Sequence, residues 1–304
     1  MELRPVCYED REKIYSLLST FKKNENGYIN EFAEMTQEEF LTKGIQLLLD
    51  WSEGKNLYEN FVPVTFYFLY DNEKNIVGVF KLRHYLNDFY KKGPGHISYA
   101  IKSEYRKKGY AKLGLNMAIQ QLDKILPQEE KLIKVCCSRK NYGSFLTIQG
   151  NIPIIYKESV IVKEQKFEVC ENYIDRKNRI LIKKLNEINI KELEDENLEK
   201  ELKNGIVLGA FLCDKEFIGY ISLLKKGNNY EINKINIIKN EKNVMFGLFN
   251  YAYSFARVNK SNFIFVEHNI YTMMEKEIDM SKYECEKNDE KVFKIIVKKL
   301  CEIE

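Results

Sequence analysis

The sequence predicts an α/β (α+β) chain of two units, each a mixed sheet flanked by helices. Three observations carry this reading. The chain has 304 residues, and roughly 150 residues per domain gives two domains. Short β-branched and aromatic runs alternate with stretches of helical periodicity. The order of these elements recurs after the polar segment Asp175–Arg179, which suggests an internal duplication; two unrelated α/β domains are the other reading. The boundaries expected are 1–175 and 176–304.

In the first unit, Leu3 to Cys7 reads as a strand. Ile14, Leu17, Leu18 and Phe21 make a helical stripe within 9–21. A second helix, 37–51, opens on Thr36 with Glu39 three residues on, a capping box. Val62–Tyr70 and Ile76–Leu82 form a hairpin across Asp71–Asn75. His96–Ile101 is a strand, and 112–126 an amphipathic helix. Lys131–Cys137 is the next strand, and Asn141–Gln149 a short helix stopped by Gly150. Strands at 153–162 and 166–173 close the unit.

The second unit repeats the pattern. Ile180–Lys184 is a strand and 192–203 a charged helix. Gly205–Cys213 and Phe217–Leu224 make a hairpin, and Tyr230–Ile238 a strand. A helix at 244–258, a strand at 263–267, a short helix at 270–278 and a strand at 292–298 follow.

Composition sets limits. Hydrophobic residues are 44% and charged residues 31% of the chain, with a net charge of +3, so a packed core in water is expected and nucleic acid is not required as a partner. No apolar run approaches the roughly 20 residues of a membrane span, and the first residues lack a secretory apolar region; a cytoplasmic protein without membrane association is expected. The seven cysteines contain no C-x-x-C pair, so reduced thiols and no metal site are expected. Cys136 and Cys137 read as core rather than as nucleophiles.

The segment Gly95–Ala111 carries the chemistry. A strand runs into Arg106-Lys107-Lys108-Gly109-Tyr110-Ala111, and a helix follows at once. Unpaired N–H groups at a helix start, with partial positive charge, suit an anion. Gly109 admits close approach of backbone, and Ala111 keeps the helix start clear. Neither a Walker loop nor a dinucleotide fingerprint fits the spacing. A basic surface loop capping a helix is the alternative on this hexapeptide alone.

Taken with its surroundings, the chain resembles the GNAT N-acetyltransferase superfamily over residues 1 to about 175. The hairpin before the turn, strand Ile97–Ile101, the Arg106–Ala111 turn with its helix, and Asn141-Tyr142-Gly143-Ser144 at the next helix carry the resemblance. It implies two GNAT-like domains, each a mixed, mostly antiparallel sheet, the first binding acetyl-CoA and the second degenerate. It implies pyrophosphate contacts from Arg106, Lys107, Lys108, Gly109, Tyr110 and Ala111. Pantetheine would pair along Tyr99, Ala100 and Ile101, with Asn141 and Ser144 beside it; Asn141 also reads as a plain helix cap.

The implied reaction moves an acetyl group from acetyl-CoA to a primary amine of a small molecule or peptide, by direct attack in a ternary complex. Freeing an amine with a pKa near 10.4 costs about 4–5 kcal/mol at pH 7, which calls for a base or a water chain. His96 stands where relatives carry a carboxylate and is the base candidate; a structural histidine is the alternative. The tyrosine that family members often use as acid is Ile148 here. Gly27–Phe61 would wall the acceptor. Its acids, Glu31, Glu34, Glu38, Glu39, Asp50 and Glu53, are either solvated helix faces or a lure for a cationic amine.

In the second unit the matching turn, Lys239–Val244, has no glycine and places Glu241 where phosphate would lie, so no CoA binding is expected there. The competing class is a non-catalytic acyl-CoA-binding or interaction module. An enzyme using charged tRNA is disfavoured by the retained turn and the near-neutral charge. A monomer or a homodimer is expected.

Overall fold

The computed structural model describes residues 1–138, 140–149, 154–156, 160–162, 167–177, 179–212, 216–239, 241, 243–288 and 291–297. Two compact units divide the chain: Met1–Arg106 with Tyr110–Arg176, and Lys177–Glu304 with Lys107–Gly109.

The first unit opens with β1 (Glu2–Pro5) and α1 (Arg11–Leu18). A hairpin follows, β2 (Asn24–Glu25) and β3 (Tyr28–Ile29). It was not foreseen, although Asn26-Gly27 is a strong hairpin signal. Both turn residues have positive φ, 54° and 94°, as a two-residue turn of this hand requires, and Gly27 N donates to Asn24 Oδ1 at 2.9 Å.

The predicted helix 37–51 is one helical path in three pieces: α2 (Gln37–Glu39), a π-helical turn Phe40–Gly44, and α3 (Ile45–Ser52). Its Thr36–Glu39 capping box is present. β4 (Val64–Tyr70) and β5 (Ile76–Arg83) form the expected hairpin. A short α4 (Asp88–Lys92), capped by Asn87, precedes β6 (Ile97–Ile101). α5 (Tyr110–Ile125) starts two residues earlier than predicted. β7 (Leu132–Ser138), α6 (Tyr142–Gln149), β8 (Ile154–Tyr156), β9 (Val160–Val162) and β10 (Phe167–Asp175) complete the unit. Parts of the predicted strands 153–162 and 166–173 lie outside the described residues.

The sheet order is β1-β4-β5-β6-β7-β10-β8, with β9 beside β10. Pairing is antiparallel except between β6 and β7, which are parallel and share a single registered pair, Ile97 with Val135. Beyond that pair the two strands part. One face carries a core of Leu17, Phe32, Phe40, Trp51, Phe66 and Phe68 from α1 to β4. The other face receives α5. Gly114 permits this: a Cβ there would meet Phe80 Cζ at 2.4 Å.

The second unit comprises β11 (Ile180–Lys184), α7 (Glu187–Leu193), α8 (Glu196–Asn204), β12 (Ile206–Leu212), β13 (Glu216–Lys226), β14 (Asn229–Ile237) and α9 (Val244–Val258). β15 (Phe263–Glu267), α10 (His268–Glu275), β16 (Cys285–Lys287) and β17 (Val292–Ile296) follow. The single charged helix foreseen at 192–203 is two helices, because Glu194 turns left-handed and Asp195 caps anew. The sheet order β11-β12-β13-β14-β15-β17-β16 is that of the first unit: β14 and β15 are its parallel pair, and β17 inserts between β15 and β16 as β10 does between β7 and β8. Leu185, Leu198, Val207 and Tyr220 share one core there.

Candidate active site

Successive side chains of a strand face opposite sides, and this sorts the candidate residues. Tyr99 lies on the α5 side of the sheet, stacked on Phe80 with ring centroids 5.4 Å apart. Its hydroxyl meets Ser144 Oγ of α6 at 2.8 Å, and burial holds its proton tightly. Ser98 and Ala100 face the other side, with Lys81 and Val79 as their cross-strand partners. Because β6 meets β7 only at Ile97, the Tyr99–Ile101 edge that would continue the parallel pair is not laddered to β7.

The basic turn is shaped by two left-handed residues, Lys107 (φ 57°) and Gly109 (φ 93°). They swing the chain from the 3-10 turn Ser103–Tyr105 directly into α5, whose first N–H groups have no partner within the helix. Tyr110 is buried and packs edge to face on Tyr105, so only its backbone serves the turn. Arg106 is committed within the protein. Its Nε donates to Ile101 O at 2.8 Å, and its guanidinium pairs with Glu25 at 2.8 Å. That hydrogen bond holds the Glu25 carboxyl below its ordinary range.

Asn141 caps α6: its Oδ1 accepts Ser144 N at 3.1 Å. Its Nδ2 donates to Asn26 O at 3.1 Å. The β2–β3 hairpin is therefore fastened at both segments of the candidate cofactor site, to the basic turn through Glu25 and to the α6 cap through Asn26. Sequence reasoning missed both residues; the Asn-Gly dipeptide was the available signal.

His96 sits as its alternative reading, a structural histidine, would have it. It is 1% exposed, and its Nδ1 accepts the Lys134 backbone N–H at 2.9 Å. That lone pair is occupied, so the proton of the neutral ring sits on Nε2. Burial, then the charges of Arg83, Arg176 and Lys134, push its pKa down to about 4. The hydrogen bond from Lys134 N–H joins β6 to β7 and engages the ring's basic nitrogen.

The acids of Gly27–Phe61 are also largely engaged. Glu31 pairs with Lys81, Glu34 with Lys23 and Glu53 with Lys55. Glu39 closes the capping box, and Asp50 accepts from Gln46 and Asn56. Glu38 is an exposed helix position. On the same face of the sheet as Lys81, the buried Lys134 pairs with Glu171. Burial pushes the thiols of Cys136 and Cys137 up to about 12, which leaves them un-ionised at neutral pH. Ile148 is fully buried.

In the second unit, Lys239 pairs with Glu216 and Glu241, and Asn243 enters α9 left-handed without a side-chain cap. Asn240 and Lys242 of that turn lie outside the described residues. Among the described residues, no group of three or more metal-binding side chains occurs, and no helix is long and apolar enough to cross a membrane.

Residues 26–144 match the family model described as Acetyltransferase (GNAT) family. Similar solved structures include spermidine N-acetyltransferase from Vibrio cholerae in complex with CoA and spermine, at 16% identity and a TM-score of 0.38, covering 57% of this chain and 94% of that one. Another is ribosomal-protein-S5-alanine acetyltransferase from Vibrio fischeri, at 17% identity and 0.39, covering 57% and 91%. A GNAT-family acetyltransferase from Streptococcus pneumoniae is 14% identical with a TM-score of 0.40, covering 57% and 98%. No curated protein matches the chain.

Proposed function

We propose, from the match of residues 26–144 to the GNAT acetyltransferase family model, that the first unit moves an acetyl group from acetyl-CoA to a primary amine of a small molecule or peptide. The observation that carries this is the parting of β6 and β7 after one registered pair. The backbone N–H groups of Lys107 to Ala111 hold the pyrophosphate at the start of α5. The open edge of Tyr99–Ile101 takes the pantetheine arm as a further strand, with Asn141 and Ser144 at its side.

Attack by the amine nitrogen on the thioester carbon forms the C–N bond as the C–S bond breaks. A backbone N–H at the parted strands steadies the developing oxyanion. The leaving thiolate takes its proton from water; Tyr99, whose hydroxyl meets Ser144 Oγ and whose burial holds its proton tightly, lines the pantetheine edge without serving as the acid. The amine proton leaves to water, since the His96 lone pair is engaged. The second unit, with the same strand order and a turn that places Glu241 at the helix start, is proposed as a degenerate GNAT-like domain that does not bind CoA.

Mixing the protein with acetyl-CoA and an amine library, and following thiol release, tests the reading. CoA binding without turnover on any amine class points instead to a non-catalytic acyl-CoA-binding module, the reading that Ile148 favours. Absence of CoA binding sinks both.

A further inference from the structure

Within the first unit, the face of the sheet opposite α5 carries cations whose compensation is incomplete. Lys81 is matched by Glu31 and Lys134 by Glu171. Between them stands Arg83, 7% exposed. Its Nη1 donates to neutral groups, Gly95 O at 2.9 Å and Ser98 Oγ at 3.1 Å, and its guanidinium lies over the Tyr90 ring at 4.3 Å. Glu31 acts on Arg83 through space but hydrogen-bonds Lys81. One buried positive charge is thus left over, and buried charges are normally paired.

Two buried donors without partners lie in the same neighbourhood. Tyr28 OH and His96 Nε2 have no hydrogen-bond partner, although Tyr28 is 3% and His96 1% exposed. Leaving such a group without a partner is costly, so each calls for an explanation. His96 feels Arg83 as the foremost of its neighbouring charges, and Tyr28 feels Arg83 after the Glu31 carboxylate, which Lys81 neutralises. Arg83 N donates to His96 O at 2.9 Å, which places the two residues opposite each other on one face. Tyr28 lies under Lys81, whose Nζ is 4.5 Å from its ring centroid, and Lys81 shares a face with Arg83. Ser98, the hydroxyl partner of Arg83, is only half-buried.

We propose that Arg83, Tyr28 OH and His96 Nε2–H together receive a carboxylate, and that the acetyl acceptor is therefore an amine that also carries a carboxylate, as an amino acid does. This rests on the acetyltransferase reading and names its acceptor class. The carboxylate supplies the missing counter-charge and the two missing acceptors at once. A polycation lacking a carboxylate gains nothing from the set and meets Arg83 as a like charge.

The test compares amino acids with the amines left when their carboxylate is removed, lysine against cadaverine being one pair, using the full-length protein with acetyl-CoA. The carboxylated member is expected to show at least ~10-fold higher kcat/KM, the preference expected of a site whose buried polar groups need the missing partner. Tyr28→Phe, which deletes only an unpartnered hydroxyl, should fold as the parent does and lower that preference severalfold; Arg83→Gln should abolish it. The side-chain N–H resonance of His96 should shift when lysine is added to CoA-loaded protein, and stay in place with cadaverine. Equal turnover of the pair, or a Tyr28→Phe variant with unchanged preference, overturns the proposal. A His96 shift with lysine but no acetylation of any amine overturns the acetyltransferase reading and leaves the carboxylate site standing.

Discussion

Arg106 is paired with Glu25, 81 residues away in the chain, at 2.8 Å. The arginine that opens the basic turn therefore holds a hairpin in place, and the pyrophosphate site proposed at the turn rests on backbone N–H groups. Glu25→Gln removes the charge and leaves a neutral side chain. Because Arg106 is more than one-third exposed, the loss should be at most about 1 kcal/mol and should shrink in high salt. Urea unfolding at low and high salt reads both effects.

Gly109→Glu places a side chain at a φ of 93° and a negative charge at the start of α5. CoA binding should fall by more than about 100-fold, since the cost adds backbone strain of roughly 1–2 kcal/mol to repulsion of the pyrophosphate. Calorimetric titration with CoA measures it. Unchanged affinity would place the cradle elsewhere.

His96 makes stability depend on pH. Its folded pKa, about 4, is below its ordinary value near 6.5, so the unfolded chain binds the proton more readily. Its contribution is complete above about pH 6.5 and is lost as pH falls toward 4, by roughly 2–3 kcal/mol. A His96→Asn variant should lose less stability than the parent between those values in matched denaturant titrations. The pH–rate profile of the variant should keep the shape of the parent's, as expected of a ring whose lone pair is engaged by Lys134 N–H.

Lys81 and Glu31 form a buried pair, in which burial lowers the lysine pKa to about 8. Lys81→Met strands the Glu31 carboxylate and should destabilise by about 3 kcal/mol. Adding Glu31→Leu should restore much of that. Additive losses in the thermal midpoints of the single and double variants would contradict the pairing.

Gly114→Val forces a side chain into Phe80, where even a Cβ would lie 2.4 Å from Cζ. α5 must move off β5, at a cost of about 1–3 kcal/mol. Because α5 begins at the basic turn, CoA affinity should fall together with the thermal midpoint.

The elements whose apolar pattern is regular were legible. β4, β5, β6, α5, β7 and α9 fall within two residues of their predicted bounds, because packing fixes them through a face that the sequence displays. The β2–β3 hairpin was not legible. Its flanks, Asn24-Glu25 and Tyr28-Ile29, do not alternate, and the turn is held by partners far along the chain. The basic turn and the Asn141 cap could be found because backbone geometry there demands particular residues, Gly109 above all. The behaviour of His96 could not, since the Lys134 N–H that occupies its lone pair comes from another strand. Nor could Arg83, whose significance depends on which neighbouring cations have carboxylates opposite them.

The hairpin also bears on how the protein is made. Asn24–Ile29 is local and can form within microseconds of leaving the ribosome. Its anchors, Arg106 and Asn141, lie 81 and 115 residues from Glu25 and Asn26, so they are synthesised several seconds later at about 5–20 residues per second. Before then it is held by Tyr28 against Phe21 and by Lys81, whose Nζ donates to Ile29 O. The hairpin is thus fastened in stages, and a pause in synthesis between Arg106 and Asn141 leaves a nascent chain with its Glu25 anchor made and its Asn26 anchor still open.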